Sequence, residues 1–173
     1  MPQDNTWSES WETFFDKSLR HVLKVRQERA GPNVELEALI PALFEKVIPR
    51  LLRPLESNGR KIQPSLVHGD LWYGNVGVVD KNTRGAIVFD PSSFWAHNEC
   101  IPISILSFPH GIYIHQVALG LLTGRTWIVD EFGNWRPKRN KFTDPLFGTS
   151  YHSHITKSDP ENDYDDRNAL YAV

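Results

Sequence analysis

The feature that most constrains this fold is a pair of short apolar runs whose outer ends carry polar residues. Residues 76–79 and 86–89 are β-like and are joined by the turn-rich sequence DKNTRG, which predicts a hairpin. Asp70 and Asn75 precede the first run, and Asp90 follows the second. Because an antiparallel hairpin brings its outer ends together, these three side chains are predicted to converge within a few ångströms.

A cluster of two carboxylates and one amide oxygen suits Mg²⁺, which prefers hard oxygen ligands. Phosphoryl transfer needs metal ions that bridge the nucleotide phosphates and a carboxylate that orients and deprotonates the attacking hydroxyl. In the kinase pattern the loop Asp is this base, the Asn five residues later holds one Mg²⁺, and the Asp after the hairpin also holds metal. Asp70, Asn75 and Asp90 occur in that order.

Each of these residues also has an ordinary structural interpretation. Asp70 could cap a helix or turn, Asn75 could be a turn residue, and Asp90 could be the N-cap of a helix that begins at Pro91. A metallohydrolase site built on His68, Asp70 and Asp90 is a weaker alternative, because the other histidines show no matching ligand spacing.

The chain before the hairpin has helical periodicity. Thr6 and Glu9 have the spacing of a capping box, and the apolar residues that follow predict an amphipathic helix over about residues 8–29. Such a stripe is the usual mark of a helix that packs against a core.

A second apolar stripe runs from Leu36 to about residue 55. Asn33 is its predicted N-cap, and Pro41 and Pro49 inside the stripe predict a kink or two shorter helices. Another helix is predicted to begin near Asp165, and we expect it to be cut short by the end of the chain. Helices together with a short hairpin predict an α+β fold.

The composition excludes several classes of protein. The net charge of −2 lacks the basic surplus that binding to nucleic acid or an anionic membrane requires. The single cysteine, Cys100, excludes an internal disulfide framework. The N-terminus does not resemble a signal peptide, and no apolar stretch is long enough to span a bilayer. We therefore expect no nucleic-acid or membrane partner, and a cytoplasmic location.

The sequence VHGDLWYGN, followed by FDPSSFWAHNE, resembles the fructosamine-3-kinase/ketosamine-3-kinase (protein-ribulosamine 3-kinase) family, within the aminoglycoside-phosphotransferase and protein-kinase-like superfamily. Trp72 after HGDL, and His97 and Glu99 after FDP, favour this branch over choline and aminoglycoside kinases. The segments NTWSESWETFF, GNWRP and DDRNALY resemble other parts of the family. The resemblance implies a mainly helical kinase-like C-lobe whose short hairpin carries the metal residues.

The same resemblance implies a role for each polar residue of the motif. Asp70 would be the catalytic base, Asn75 and Asp90 would be Mg²⁺ ligands, and His68 would brace the loop. The cofactors would be ATP and Mg²⁺. The substrate would be a ketosamine (ribulosamine or fructosamine), on a protein lysine or as a small molecule, phosphorylated on the sugar 3-hydroxyl.

The chain departs from the family pattern in two places. No GxGxxG or Walker-type sequence occurs and few residues precede the first helix, so we expect a C-lobe fragment over residues 1–173 that lacks the nucleotide-binding lobe and is inactive alone. Residues 6–100 and 131–171 are family-like. Residues 101–130 are apolar without a clear period, which we interpret as an atypical insertion that arises from translated non-coding sequence. A genuine lineage-specific insertion is the alternative.

Two aspects of function stay open at this point. Trp72 and Trp95 are candidate contacts for the sugar, although a place in the apolar core is the more common role of such aromatic residues. The acceptor could be another small hydroxyl compound, or the chain could be a non-catalytic, pseudokinase-like binding fragment.

Overall fold

The computed structural model of this chain combines helices with short strands in two compact units, Met1–Ile62 and Gln63–Val173. The structure describes residues 4–70, 73–80, 85–100, 112–114, 149 and 151–172. Its mixture of helices and small sheets confirms the predicted α+β class. Within those residues, no helix is both long enough and apolar enough to cross a membrane.

Helix α1 (Trp11–Ala30) opens the first unit, and it begins later than predicted. Ser10 is its N-cap, with a side-chain hydroxyl that accepts a hydrogen bond of 3.2 Å from a first-turn amide. The predicted capping box of Thr6 and Glu9 is wrong, because both residues lie before the helix and the Thr6 amide and hydroxyl donate to the Asp4 carboxylate.

The second apolar stripe folds as short helical segments of different types. In chain order they are helix α2 (Val34–Ala42), a π-helical turn (Leu43–Val47), helix α3 (Ile48–Leu52) and a 3₁₀ turn (Arg53–Glu56). The Asn33 side chain caps α2, as predicted. The Ile48 amide donates to the Leu43 carbonyl, five residues back, and the next residue, Pro49, has no amide hydrogen. The predicted break in this stripe is therefore confirmed.

Apolar side chains from α1, α3 and the 3₁₀ turn form the core of the first unit. The buried residues include Trp11, Ile48, Leu51, Leu52 and Leu55. Two polar contacts hold the same elements together at the surface of this core. The Trp11 amide donates to the Glu56 carboxylate at 2.7 Å, and the Arg53 guanidinium donates twice to Glu12, at 2.8 and 3.0 Å.

Two small sheets belong to the second unit. Strand β1 (Ser65–Val67) pairs antiparallel with β4 (Phe94–Ala96), and β2 (Val76–Asp80) pairs antiparallel with β3 (Gly85–Val88). Strand β5 (Ile112–Ile114) lies parallel to β3. The predicted hairpin is confirmed as β2 and β3, whereas the other three strands were not predicted, because three-residue strands are too short to show a period.

Strand β5 falls within residues 101–130, the stretch interpreted from its composition as an insertion. The other residues of that stretch lie outside the described part of the chain. The interpretation therefore stays a prediction.

Helix α4 (Tyr164–Tyr171) follows a 3₁₀ turn at Glu161–Asp163, and it confirms the helix predicted near Asp165. Its buried side chains belong to Arg167, Asn168, Leu170 and Tyr171. Two of them, Arg167 and Tyr171, bond to the segment that follows β4.

Candidate functional site

A buried histidine joins the loop after β1 to the end of β3. The His68 Nε2 atom lies 3.0 Å from the Phe89 carbonyl oxygen, and its Nδ1 atom lies 3.3 Å from the Asp70 amide nitrogen. Because the amide can only donate, Nδ1 is the accepting nitrogen, and Nε2 carries the hydrogen that is donated to Phe89. His68 is therefore hydrogen-bonded at both ring nitrogens and links the loop to the end of β3.

The residue after His68 is a glycine, and its surroundings show why. Gly69 has φ of +81°, in the left-handed region that side chains disfavour, and a Cβ at this position would overlap the carbonyl oxygen of Ser92. The loop therefore packs closely against the segment that connects β3 to β4, and this approach requires Gly69.

Asn75 connects the loop to the hairpin from the other side. Its Nδ2 atom donates to the backbone oxygen of Asp70 at 2.7 Å and to the Asp70 carboxylate at 3.2 Å. Its backbone oxygen accepts a hydrogen bond of 3.1 Å from the Phe89 amide. Asp70 and Asn75 are thus in direct contact. The amide and the carbonyl of Phe89 both bond to the loop over residues 68–75, and Asp90 is the residue after Phe89.

Asp90 itself is exposed and has an unusual backbone conformation. Its φ is +58°, a region where non-glycine residues are uncommon and which recurs at functional sites. Residues 91–93 are not helical, so the alternative interpretation of Asp90 as the N-cap of a helix at Pro91 is wrong. A carboxylate is therefore exposed at the end of the hairpin without a capping role.

The side chains of Asp70, Asn75 and Asp90 carry oxygen atoms of the hard type that Mg²⁺ prefers. Both hydrogen bonds of the Asn75 side chain within the described residues use Nδ2, so Oδ1 is the amide atom that can act as a ligand. Asp90 offers carboxylate oxygens as further ligands, and the Asp70 carboxylate lies beside Asn75. No group of three His, Cys, Asp or Glu side chains suited to a metal occurs in the described ranges. Mg²⁺ does not need one, since it usually keeps waters and binds one or two carboxylates and substrate phosphates.

The two tryptophans suggested as sugar contacts have different outcomes. Trp95 is the central residue of β4, opposite Leu66 of β1, and 52% of its surface is accessible. That exposure contradicts the alternative that Trp95 belongs to the apolar core. Trp72 lies outside the described residues.

A second polar cluster is buried where the chain leaves β4, and its role was not predicted. The Glu99 carboxylate accepts two hydrogen bonds from Arg167, at 2.7 and 3.2 Å, and one from the Ser158 amide at 2.6 Å. The His97 ring lies 3.0 Å from the Tyr171 hydroxyl and 2.9 Å from the Ser158 hydroxyl. In the sequence, His97 and Glu99 are recognised only as features of the family. Nothing in the sequence around them indicates that they pair with residues about 70 positions later.

Burial determines the protonation of the histidine in this second cluster. It lowers the pKa of the His97 imidazole from the ordinary value of 6.5 to about 4, while the Glu99 carboxylate opposes this shift and the Arg167 guanidinium adds to it. His97 is therefore neutral at pH 7, and one ring nitrogen donates while the other accepts.

Comparison with known proteins finds relatives for the part of the chain that contains both sequence motifs. The family model described as fructosamine kinase matches residues 1–113, more than half of the 173 residues. The chain is 39% identical over 100 residues to ketosamine-3-kinase of Mus musculus, which covers 57% of this chain and 29% of the relative. It is 36% identical over 101 residues to the chloroplastic protein-ribulosamine 3-kinase of Arabidopsis thaliana, covering 57% and 28%.

A third relative is a probable ketoamine kinase of Escherichia coli (strain K12), 34% identical over 102 residues, with 57% of this chain and 30% of the relative covered. The chain spans less than a third of the length of these curated relatives. The resemblance that rests on the HGDLWYGN and FDP motifs is confirmed: this chain belongs to the fructosamine kinase family.

Proposed function

We propose that this chain supplies the catalytic loop and metal ligands of an ATP-dependent ketosamine kinase. The observation that supports this most strongly is the hydrogen-bonded pair of Asp70 and Asn75, on a loop that bonds to Phe89, the residue directly before the exposed Asp90. A site for phosphoryl transfer needs a carboxylate base beside oxygen ligands for Mg²⁺, and these residues supply both. The kinase names of three relatives support the same reaction.

In the proposed reaction Asp70 accepts the proton of the sugar 3-hydroxyl as that oxygen attacks the terminal phosphorus of ATP; the bond from this phosphorus to the bridging oxygen breaks, and ADP leaves. Asn75, through Oδ1, and Asp90 would hold Mg²⁺, which when bound would neutralise the charge of the phosphates. The Asn75 amide group also restrains the Asp70 carboxylate, since it donates to Oδ2 at 3.2 Å. A carboxylate fixed in this way has fewer unproductive orientations, and positioning accounts for much of phosphoryl-transfer catalysis.

The proposed substrate is a ketosamine, either ribulosamine or fructosamine on a protein lysine or a small ketosamine. Trp95 is a proposed sugar contact, because a half-exposed ring on a strand next to the loop can pack against the apolar face of a sugar. We keep the cytoplasmic location and the absence of nucleic-acid and membrane partners as proposals from composition.

The proposed architecture is that of a kinase-like C-lobe. No glycine-rich or Walker-type phosphate-binding sequence occurs in the 173 residues, so we expect this chain to need nucleotide-binding elements from elsewhere for activity.

A chimera tests the substrate. The 100-residue segment of the mouse relative that matches this chain is replaced by the corresponding residues of this chain, and phosphate transfer from ATP is measured for several acceptors. We expect transfer to ribulosamine-lysine and fructosamine-lysine peptides, and none to the unmodified lysine peptide. Preferred transfer to an aminoglycoside or choline would favour another hydroxyl acceptor.

The same chimera with Asp70→Asn is the matched control, because the amide keeps the shape of the side chain and can still accept from Asn75. Folded chimeras that bind no metal and transfer no phosphate with either residue would favour the non-catalytic binding fragment.

A further inference from the structure

We infer that Tyr171 and Arg167 of helix α4 are positioning residues for the loop with Asp70 and for Asp90, acting through the segment 89–99. Neither residue contacts the motif. They bond to His97 and Glu99 at one end of this segment, and the other end, at Phe89 and Asp90, is part of the candidate site. The inference rests on the proposed function for its catalytic meaning, but the contacts on which it depends are independent of that function.

The first step is that α4 holds residues 97–99 by two sets of buried contacts. The Tyr171 hydroxyl bonds to the His97 ring at 3.0 Å, and Arg167 bonds twice to the Glu99 carboxylate. Arg167 also donates to the carbonyl oxygens of Ser158 and Pro160, both at 2.8 Å. Since His97, Glu99 and Arg167 have at most 1% of their surface accessible, water cannot readily replace these bonds.

The second step is that the segment 89–96 contacts residues 65–69 at several points. Ala96 pairs with Ser65, and Phe94 with Val67. Further along, the connection after β3 packs against Gly69, and the Phe89 carbonyl bonds to His68. A shift of β4 along β1 would therefore move Asp90 relative to Asp70.

The third step is that the pairing of β1 with β4 is not enough by itself to fix the register between these two strands. Strands β1 and β4 have three residues each, and so short a ladder supplies few hydrogen bonds. Asp90 has a positive φ, a sparsely populated conformation that persists only when its surroundings impose it. Because the bonds from α4 fix the chain directly after β4, they are the contacts suited to hold this alignment.

Hydrogen exchange on this chain without metal tests the positioning directly. Tyr171→Phe removes only the hydroxyl, and Arg167→Lys keeps the charge but loses the bidentate geometry. In both variants we expect the amides of Phe89 and Asp70 to exchange about tenfold faster, as in local opening, while the amides of β2 keep their wild-type rates. Arg53→Lys, in the exposed bidentate pair of the first unit, is the matched control and should leave these amides unchanged.

Uniformly faster exchange across the second unit would show a general loss of stability and would overturn the inference. Unchanged exchange at Phe89 and Asp70 would overturn it as well. Tyr171→Phe is a milder change than Arg167→Lys. If one of the two variants does not fold, the other still provides the test.

Binding of Mn²⁺, measured by electron paramagnetic resonance, links the positioning to the site. We expect Tyr171→Phe to weaken Mn²⁺ binding about tenfold, no more than the smallest loss found for a residue that bonds to a metal ligand, because Tyr171 acts on Asp90 only through the segment 89–99. In an Asp90→Asn background the same change should have a smaller effect, because the part that acts through the Asp90 carboxylate is then lost. A separate, additive effect would contradict the inference.

The outcomes separate the two proposals. If Asp90→Asn weakens Mn²⁺ binding and Tyr171→Phe leaves it unchanged, the positioning role is wrong and the metal assignment stands. If Mn²⁺ binding does not depend on Asp90, the metal assignment of the proposed function is wrong, whatever hydrogen exchange shows.

Discussion

The buried ion pair of Arg167 and Glu99 gives a quantitative prediction for stability. Replacing Arg167 by Met keeps most of the side-chain volume and leaves the Glu99 carboxylate buried, with the Ser158 amide as its remaining donor among the described residues. Breaking a buried pair by removing one partner costs about 3 to 5 kcal/mol, because the remaining charge is desolvated without compensation. We expect Arg167→Met to lower the free energy of unfolding by an amount in this range.

The chain contains its own comparison in the pair of Arg53 and Glu12. The hydrogen-bond geometry is similar, with two bonds of 2.8 and 3.0 Å, but 64% of the Arg53 side chain is accessible. Water and salt screen such a pair, so Arg53→Met should change the unfolding midpoint far less than Arg167→Met. The assay is urea unfolding followed by far-UV circular dichroism.

A double variant tests the reason for the loss. Arg167→Met with Glu99→Leu removes the unpaired charge, and burial of two apolar residues should recover part of the stability. Recovery should be incomplete, because the carbonyls of Ser158 and Pro160 and the Ser158 amide lose their partners. Equal losses in the Arg167 and Arg53 variants, or full recovery in the double variant, would refute this reasoning.

Two other predictions concern buried or strained positions. Because folding lowers the pKa of His97 from 6.5 to about 4, the unfolded chain binds more protons between these values, and stability is lost as pH falls through that window. The loss of stability from this residue is about 2 kcal/mol at pH 5. His97→Gln should remove this part of the pH dependence of stability, measured by urea unfolding at several pH values. Burial also lowers the pKa of His152, but this residue is present in both proteins and its contribution therefore cancels in the comparison. Gly69→Ala should destabilise more than Gly59→Ala in thermal unfolding, because both glycines have φ of +81° but only Gly69 lies against Ser92; equal effects would contradict the close approach.

The sequence predicts best what depends on neighbours along the chain. The hairpin is identified because two apolar runs flank a turn-rich hexapeptide, and the cap at Asn33 and the break near Pro49 follow from local chemistry. The contact between Asp70 and Asn75 belongs to the same class, because the two residues are five positions apart and Asn75 ends the 3₁₀ turn Tyr73–Asn75.

Features that depend on distant residues could not be predicted in this way. Strands β1 and β4 are each too short to show alternation, and they are recognised only through their pairing with each other. The role of Glu99 requires Arg167, 68 positions later, and neither sequence neighbourhood indicates the other. The first cap was mispredicted for a related reason. Thr6 and Glu9 have the capping-box spacing and Ser10 does not, but the helix begins at Trp11, whose side chain is buried in the core.

The central claim is that Asp70 is the base of a phosphotransfer site whose metal is held by Asn75 and Asp90. The most direct test is the rate of phosphate transfer to ribulosamine-lysine peptide by the chimera with Asp70→Asn, at saturating ATP and Mg²⁺. Asp16→Asn, which removes a carboxylate from the helix surface, is the matched control.

A general base contributes a factor of about 100 to 10,000, so Asp70→Asn should lower kcat by at least about 100-fold, while the KM for ATP and the Mn²⁺ affinity change much less. Asp16→Asn should retain the full rate. A folded Asp70→Asn protein that keeps its kcat would contradict the account.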